Sequence, residues 1–165
     1  MAVHRKFVES HQVEGMIVPK DITGAAQTSD ILSLKESAGI AIVITQGAWA
    51  GGTPAVTLTQ CQDVSATGAK ALGFTEAYRK TGLSNTLWTR FDVTSNTFNL
   101  TTTANTVTLI EIGPEQLDRD NGFDCIRLDI ASPGANADLL SAAGYLYNIR
   151  NAGDPAVIIP PATTN

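Results

Sequence analysis

Hydrophobic residues in this chain recur at every second position, in short runs broken by turn residues, and that period commits it to β-structure. Ile40, Ile42 and Ile44 alternate with Ala41, Val43 and Thr45, a run apolar on both faces that reads as a central strand. Val56 and Leu58 alternate with Thr57, Thr59 and Cys61, a half-buried strand with a threonine face. Further runs cover Lys70 to Tyr78, Leu87 to Val93, Thr97 to Leu100 and Val107 to Ile112. Two more follow: Phe123 to Ile130, with Ile126, Leu128 and Ile130 inward, and Ala143 to Ile149, with Tyr145, Tyr147 and Ile149 on one face.

Turn residues separate these runs. They are 46–54 (QGAWAGGTP), Ala66-Thr-Gly68, Thr81-Gly-Leu-Ser-Asn85, Ser95-Asn96 and Asp120-Asn-Gly122. About eight short strands at such spacing predict an all-β chain: a single antiparallel β-sandwich or jelly-roll-like domain. The one helical turn expected is Pro114 to Arg119, opened by Gly113-Pro114 with proline at the first helical position, where its missing N–H costs nothing. Asp138 to Ile149 also fits a helical period through Leu139, Leu140, Ala143, Leu146 and Ile149. The aromatic and β-branched alternation of 145–149 favours strand from Gly144 onward.

The ends read differently. Residues 1–15 lack periodicity and are expected to form an N-terminal arm, 16–150 the sandwich, and 151–165 a C-terminal arm whose three prolines forbid a central strand. Val157, Ile158 and Ile159 in that arm are apolar without a period. Exposed in water they would gain nothing, so they are expected to dock on a neighbour or on their own domain.

At 165 residues the chain has one domain's worth of core. Its charged fraction is 16%, against roughly 25% in ordinary soluble domains. A net charge of −5 with no Lys/Arg-rich run argues against nucleic acid, whose affinity comes from neutralising phosphates, and against an anionic membrane. The longest apolar stretch, Ala38 to Thr45, is far short of the ~20 residues that cross a bilayer. The start of the chain carries no apolar run of signal-peptide length, so synthesis and retention in a cytosol-like compartment are expected. Cys61 and Cys125, with Trp88 between them, match the immunoglobulin pattern poorly and are expected to be reduced, buried, small hydrophobes.

Motifs for chemistry fail on spacing. His4 and His11 both lie in the aperiodic N-terminal segment, a poor holder for the rigid base that a nucleophile needs. Gly47 to Gly52 lacks the lysine of a phosphate loop. The acidic run Asp118 to Asp124 places Gly122 at position five rather than six of a calcium loop, so it reads as a turn whose Asn121-Gly122 supplies a positive φ. No catalytic, cofactor-binding or metal-ligating residues are expected, and the chain is not expected to be an enzyme.

What remains is surface. Lys70, Arg79, Lys80 and Arg90 give a basic middle against Glu76 alone, whereas Glu111, Glu115, Asp118, Asp120, Asp124 and Asp129 outweigh Arg119 and Arg127. The two segments are either solvated strand faces or complementary patches that set register between neighbouring copies. Arg79, Lys80, Trp49, Val157, Ile158 and Ile159 are the expected interface residues.

Several segments together carry a resemblance: Val56-Thr-Leu-Thr-Gln60, Gly68-Ala-Lys-Ala-Leu72-Gly-Phe74, Asn96-Thr-Phe-Asn-Leu100, Ile110-Glu-Ile112, Leu117-Asp118 and Asp120 to Leu128. In this order they resemble a group of small structural proteins of tailed bacteriophages, over roughly residues 30–150, through hairpin and turn patterns rather than catalytic signatures. The resemblance implies a virion component made in the host cytoplasm, a capsid decoration or cement protein on the outer capsid surface. Its partners would be the major capsid protein and copies of itself. A head-tail joining or tail component, and a carbohydrate-binding sandwich using Trp49 and Trp88, stay open as alternatives.

Overall fold

The computed structural model describes residues 6–82 and 87–149. Among them are twelve strands: β1 His11–Asp21, β2 Gln27–Thr28, β3 Leu32–Ser33, β4 Gly39–Trp49, β5 Ala55–Cys61, β6 Lys70–Ala71, β7 Glu76–Thr81, β8 Thr89–Asp92, β9 Thr97–Asn99, β10 Thr106–Ile112, β11 Cys125–Ile130 and β12 Asp138–Tyr147. They build two antiparallel sheets packed as a sandwich, the all-β fold expected from the alternation. Sheet A runs β1-β12-β4-β10-β7-β8. In sheet B, β11 and β5 pair at the centre, β2 and β3 share the outer edge of β11, and β6 and β9 share that of β5.

Alternation decides which residues meet between the sheets. Ile40, Ile42 and Ile44 of β4, Ile110 and Ile112 of β10, and Leu140, Ala142 and Leu146 of β12 point inward from sheet A. Val56 and Leu58 of β5 and Ile126, Leu128 and Ile130 of β11 meet them from sheet B. Each of these isoleucine, leucine and valine side chains contributes about 1.5–3 kcal/mol of burial. Phe98 closes one side, edge-on to Phe74 at 6.2 Å and to Phe91 at 5.3 Å.

Several boundaries depart from expectation. The run Lys70 to Tyr78 is two strands, not one: β6 pairs β5 in sheet B and β7 pairs β10 in sheet A. Between them Leu72 and Phe74 are buried as the chain crosses from one sheet to the other. Within the expected N-terminal arm 1–15, Phe7–Glu9 form a 3-10 turn and His11 to Gly15 pair with Tyr147 to Ala143 as part of β1, while residues 1–5 lie outside the described residues. The period of β1 was hidden by register shifts after Gly15 and Ile17 and by Pro19, which an edge strand tolerates. β12 begins at Asp138 rather than Gly144, so the helical alternative does not form. The expected turn at Pro114 is present as a 3-10 turn over Pro114–Gln116, and a second covers Arg119–Asn121. Gly122 follows at φ 82, the left-handed geometry expected of Asn-Gly.

Candidate interaction surface

The outer face of sheet A is built by the same alternation that builds the core. With Ile40, Ile42 and Ile44 inward, Ala41, Val43 and Thr45 must face out. Register then sets a row across the sheet: Gly15 beside Ala143, Ala143 beside Val43, Val43 beside Leu109, Leu109 beside Tyr78, and Tyr78 beside Arg90. At a strand spacing of 4.7–4.9 Å the row spans roughly 24 Å. It carries no charged side chain before Arg90. The next row holds Val13, Tyr145 and Ala41 and ends at Glu111, and the row on the other side holds Ser141, Thr45 and Val107 and ends at Lys80.

Glu111 of β10 and Lys80 of β7 flank the uncharged row, and the charges at the β8 edge are paired. The Arg90 guanidinium lies 2.6 Å from Glu76 and 3.5 Å from Asp92. The Tyr78 hydroxyl donates to Glu76 at 2.9 Å, and this bond, which would leave the ionised phenolate without its proton donor role, pushes the phenol above its ordinary range. Phe7 stacks on His11 at 4.4 Å and meets Tyr145 edge-on at 6.4 Å, extending the apolar surface at the β1 edge. Phe7, Val8, Val13, Val18 and Leu139 are all exposed. No described element covers the face.

The expected interface residues separate. Arg79 and Lys80 are neighbours on β7 and so lie on opposite sides: Lys80 faces out, while Arg79 turns between the sheets. Its Nη2 donates to the Asn99 carbonyl at 2.9 Å and its guanidinium lies 4.5 Å from the Phe91 ring centre, so burial lowers its pKa. Trp49 packs against the core and its Nε1 donates to the Gly52 carbonyl at 3.2 Å, while Trp88 is 47% exposed at the β8 edge. Val157, Ile158, Ile159 and His4 lie outside the described residues.

The basic and acidic segments meet within one chain at Lys70. Its ammonium pairs with Asp118 and sits 3.9 Å from the Phe123 ring centre. The Lys70 hydrogen bond, with help from the Asn121 side chain, holds the Asp118 carboxyl below its usual range. Asp124 faces Lys35 at 3.4 Å and Asp129 faces Arg127 at 3.0 Å. Each of these carboxylates is thus engaged by a local partner. Among the described residues no group of three or more His, Cys, Asp or Glu is placed to hold a metal, and no helix is long and apolar enough to cross a membrane.

The stripe Val43, Leu109, Ala143 and Tyr78 was missed in the sequence. Its signal was present in β4, whose outward residues are as apolar as a doubly covered strand's, yet only one face is covered. No family model, no curated protein and no solved structure matches the chain.

Proposed function

We propose that this protein is a non-enzymatic structural component of a phage virion, a decoration or cement protein that lays the outer face of sheet A on the capsid shell. The observation that carries the reading is the uncharged row from Ala143 through Val43 and Leu109 to Tyr78, which no described element covers. Contiguous apolar area of this kind marks a surface meant for another protein. Its few charges flank the row, at Glu111 and Lys80, or lie at the β8 edge, where they set orientation more than affinity. The net charge of −5 suits the outside of a shell better than contact with packaged DNA. In this reading the major capsid protein is the partner, and many modest contacts repeated over a shell add up to a strong one.

A glycan-binding role would need Trp49 and Trp88 presented together. The packing of Trp49 against the core and its bond to Gly52 leave Trp88 alone at the sheet edge.

The test is particle binding. Purified protein is mixed with heads that lack it, and occupancy is counted from density. Wild-type protein should cover the shell, and Val43→Lys with Leu109→Lys should abolish binding while the soluble variant keeps its fold by circular dichroism. Copies forming a ring on one axis would assign a head-tail joining role instead. Full occupancy by the doubly substituted protein, or no affinity of the wild type for any particle, would overturn the reading.

A further inference from the structure

Cys61 and Cys125 are direct partners in the antiparallel ladder between β5 and β11. Both are free and buried, but not in the main core. Thr57 and Thr59 on β5, and Arg127 and Asp129 on β11, face out of sheet B, and the cysteines share their parity. They therefore sit on the outer face of sheet B. Ile31, Val64 and Ala66 roof them as a small cluster of their own.

Ile31 comes from between β2 and β3, while Val64 and Ala66 belong to a loop in which Asp63 accepts most of the side-chain hydrogen bonds. Asp63 accepts from the Ser65 amide at 2.9 Å, the Thr67 amide at 3.0 Å and the Thr67 hydroxyl at 2.7 Å, while the Gln62 amide donates to the Thr67 carbonyl at 3.0 Å. Directly opposed residues in an antiparallel ladder have Cα atoms about 4.5 or 5.5 Å apart, according to the type of pair. Both values fall within the roughly 4.4–6.8 Å that a disulfide spans. Cβ atoms about 4.5–5.5 Å apart need to close by only about 1 Å, which a twist of two adjacent strands supplies.

We propose that Cys61 and Cys125 form a latent cross-strand disulfide site, which a small-molecule disulfide such as glutathione disulfide oxidises when the Asp63 loop opens. The Cys61 thiol gives its proton to solvent, and its thiolate attacks one sulfur of glutathione disulfide, releasing a first glutathione thiolate. Cys125, after losing its own proton, attacks the Cys61 sulfur of the mixed disulfide and releases a second. The protein loses two protons and two electrons, and one glutathione disulfide takes up both electrons and two protons from solvent to become two glutathiones. Burial and the Asp124 carboxylate that accepts from Cys125 push the Cys125 thiol up to about 12, and burial raises Cys61 as well. With the roof closed both thiols stay protonated and out of reach, so opening sets the rate. The bond would tie β5 to β11 at one end of their ladder, independently of what the outer face of sheet A binds.

The test incubates the folded protein and its Asp63→Ala variant with glutathione disulfide at pH 8. The expected product is monomeric, has lost about two mass units and both free thiols, melts about 5–15 °C higher, and reverts with dithiothreitol. Asp63→Ala should react about tenfold faster, since it releases the loop. Cys61→Ser and Cys125→Ser should each leave the melting temperature unmoved by the oxidant. Thiols that persist in Asp63→Ala, a stable glutathione adduct, a disulfide-linked dimer, or equal rates for Asp63→Ala and wild type would each overturn the proposal.

Discussion

Asp138 stands opposite Trp49 where the register between β12 and β4 shifts, and its buried carboxylate holds the turn that follows the tryptophan. Oδ1 accepts from the amides of Ala50 at 2.7 Å and Gly51 at 3.3 Å, and the Asp138 amide donates to Asp21 at 3.2 Å. A buried carboxylate bonded to two backbone amides is worth more than a neutral pair; without it the Gly51 amide loses this acceptor, while the Ala50 amide keeps the Ala137 carbonyl at 3.2 Å. Asp138→Ala should therefore cost about 2–4 kcal/mol in urea unfolding, with a shift in Trp49 emission as the turn loosens. Asp138→Asn, which keeps one acceptor oxygen, should cost less than the alanine.

The same shift explains what the sequence showed and what it hid. Strand periods in β4, β5, β10 and β11 were legible because each has one continuous face in the core. Trp49 was not placed, since the extra residue between Gln46 and Trp49 reverses which side it faces. β2 and β3, two residues each, are too short to carry a period and exist only because β11 offers them an edge. Arg79 and Lys80 read as one basic pair in the sequence, although alternation alone sends them to opposite faces. The apolar stripe on the outer face of sheet A was concealed for a different reason. Apolar residues on both sides of a strand show that neither side prefers water, and do not say whether the second cover belongs to the same chain.

Arg79 and Lys80 should thus behave differently on substitution. Arg79 bridges the sheets through Asn99 and lies over Phe91, so Arg79→Ala should lower stability by about 1–3 kcal/mol. Lys80→Glu changes only the outer face and should move stability by no more than about 0.5 kcal/mol. Chemical denaturation of the two variants side by side checks this. Equal losses would show that Arg79 does not tie the sheets together.

Acid should loosen three turns together. Asp21 is held below its usual range first by the Thr23 hydroxyl and then by the Thr23 amide, Asp63 likewise by Thr67, and Asp118 by Lys70. Because the folded values lie below the ordinary 3.8, the stabilisation is fully present well above pH 3.8 and is lost as pH falls through that value toward the folded ones. The urea midpoint should hold steady from pH 7 to about 5 and decline below about 4. Asp63→Asn should flatten part of that decline, and a midpoint unchanged down to pH 2.5 would contradict it.

Tyr147 lies across Gly39 at the end of sheet A, where the two are register partners. A Cβ on Gly39 would overlap the phenol, lying 2.6 Å from Cζ, and would come within 2.9 Å of the Ile112 carbonyl oxygen. The ring can shift, but the backbone carbonyl of β10 is fixed by its ladder with β4. Gly39→Ala should cost about 1–3 kcal/mol, the range for adding volume to a packed site. Trimming the phenol with Tyr147→Leu should relieve the part due to the ring and leave the part due to the carbonyl. The double variant should then lose measurably less than the two single losses combined, by about 0.5–1 kcal/mol in urea unfolding. Strict additivity would mean that the ring and the glycine do not share the site.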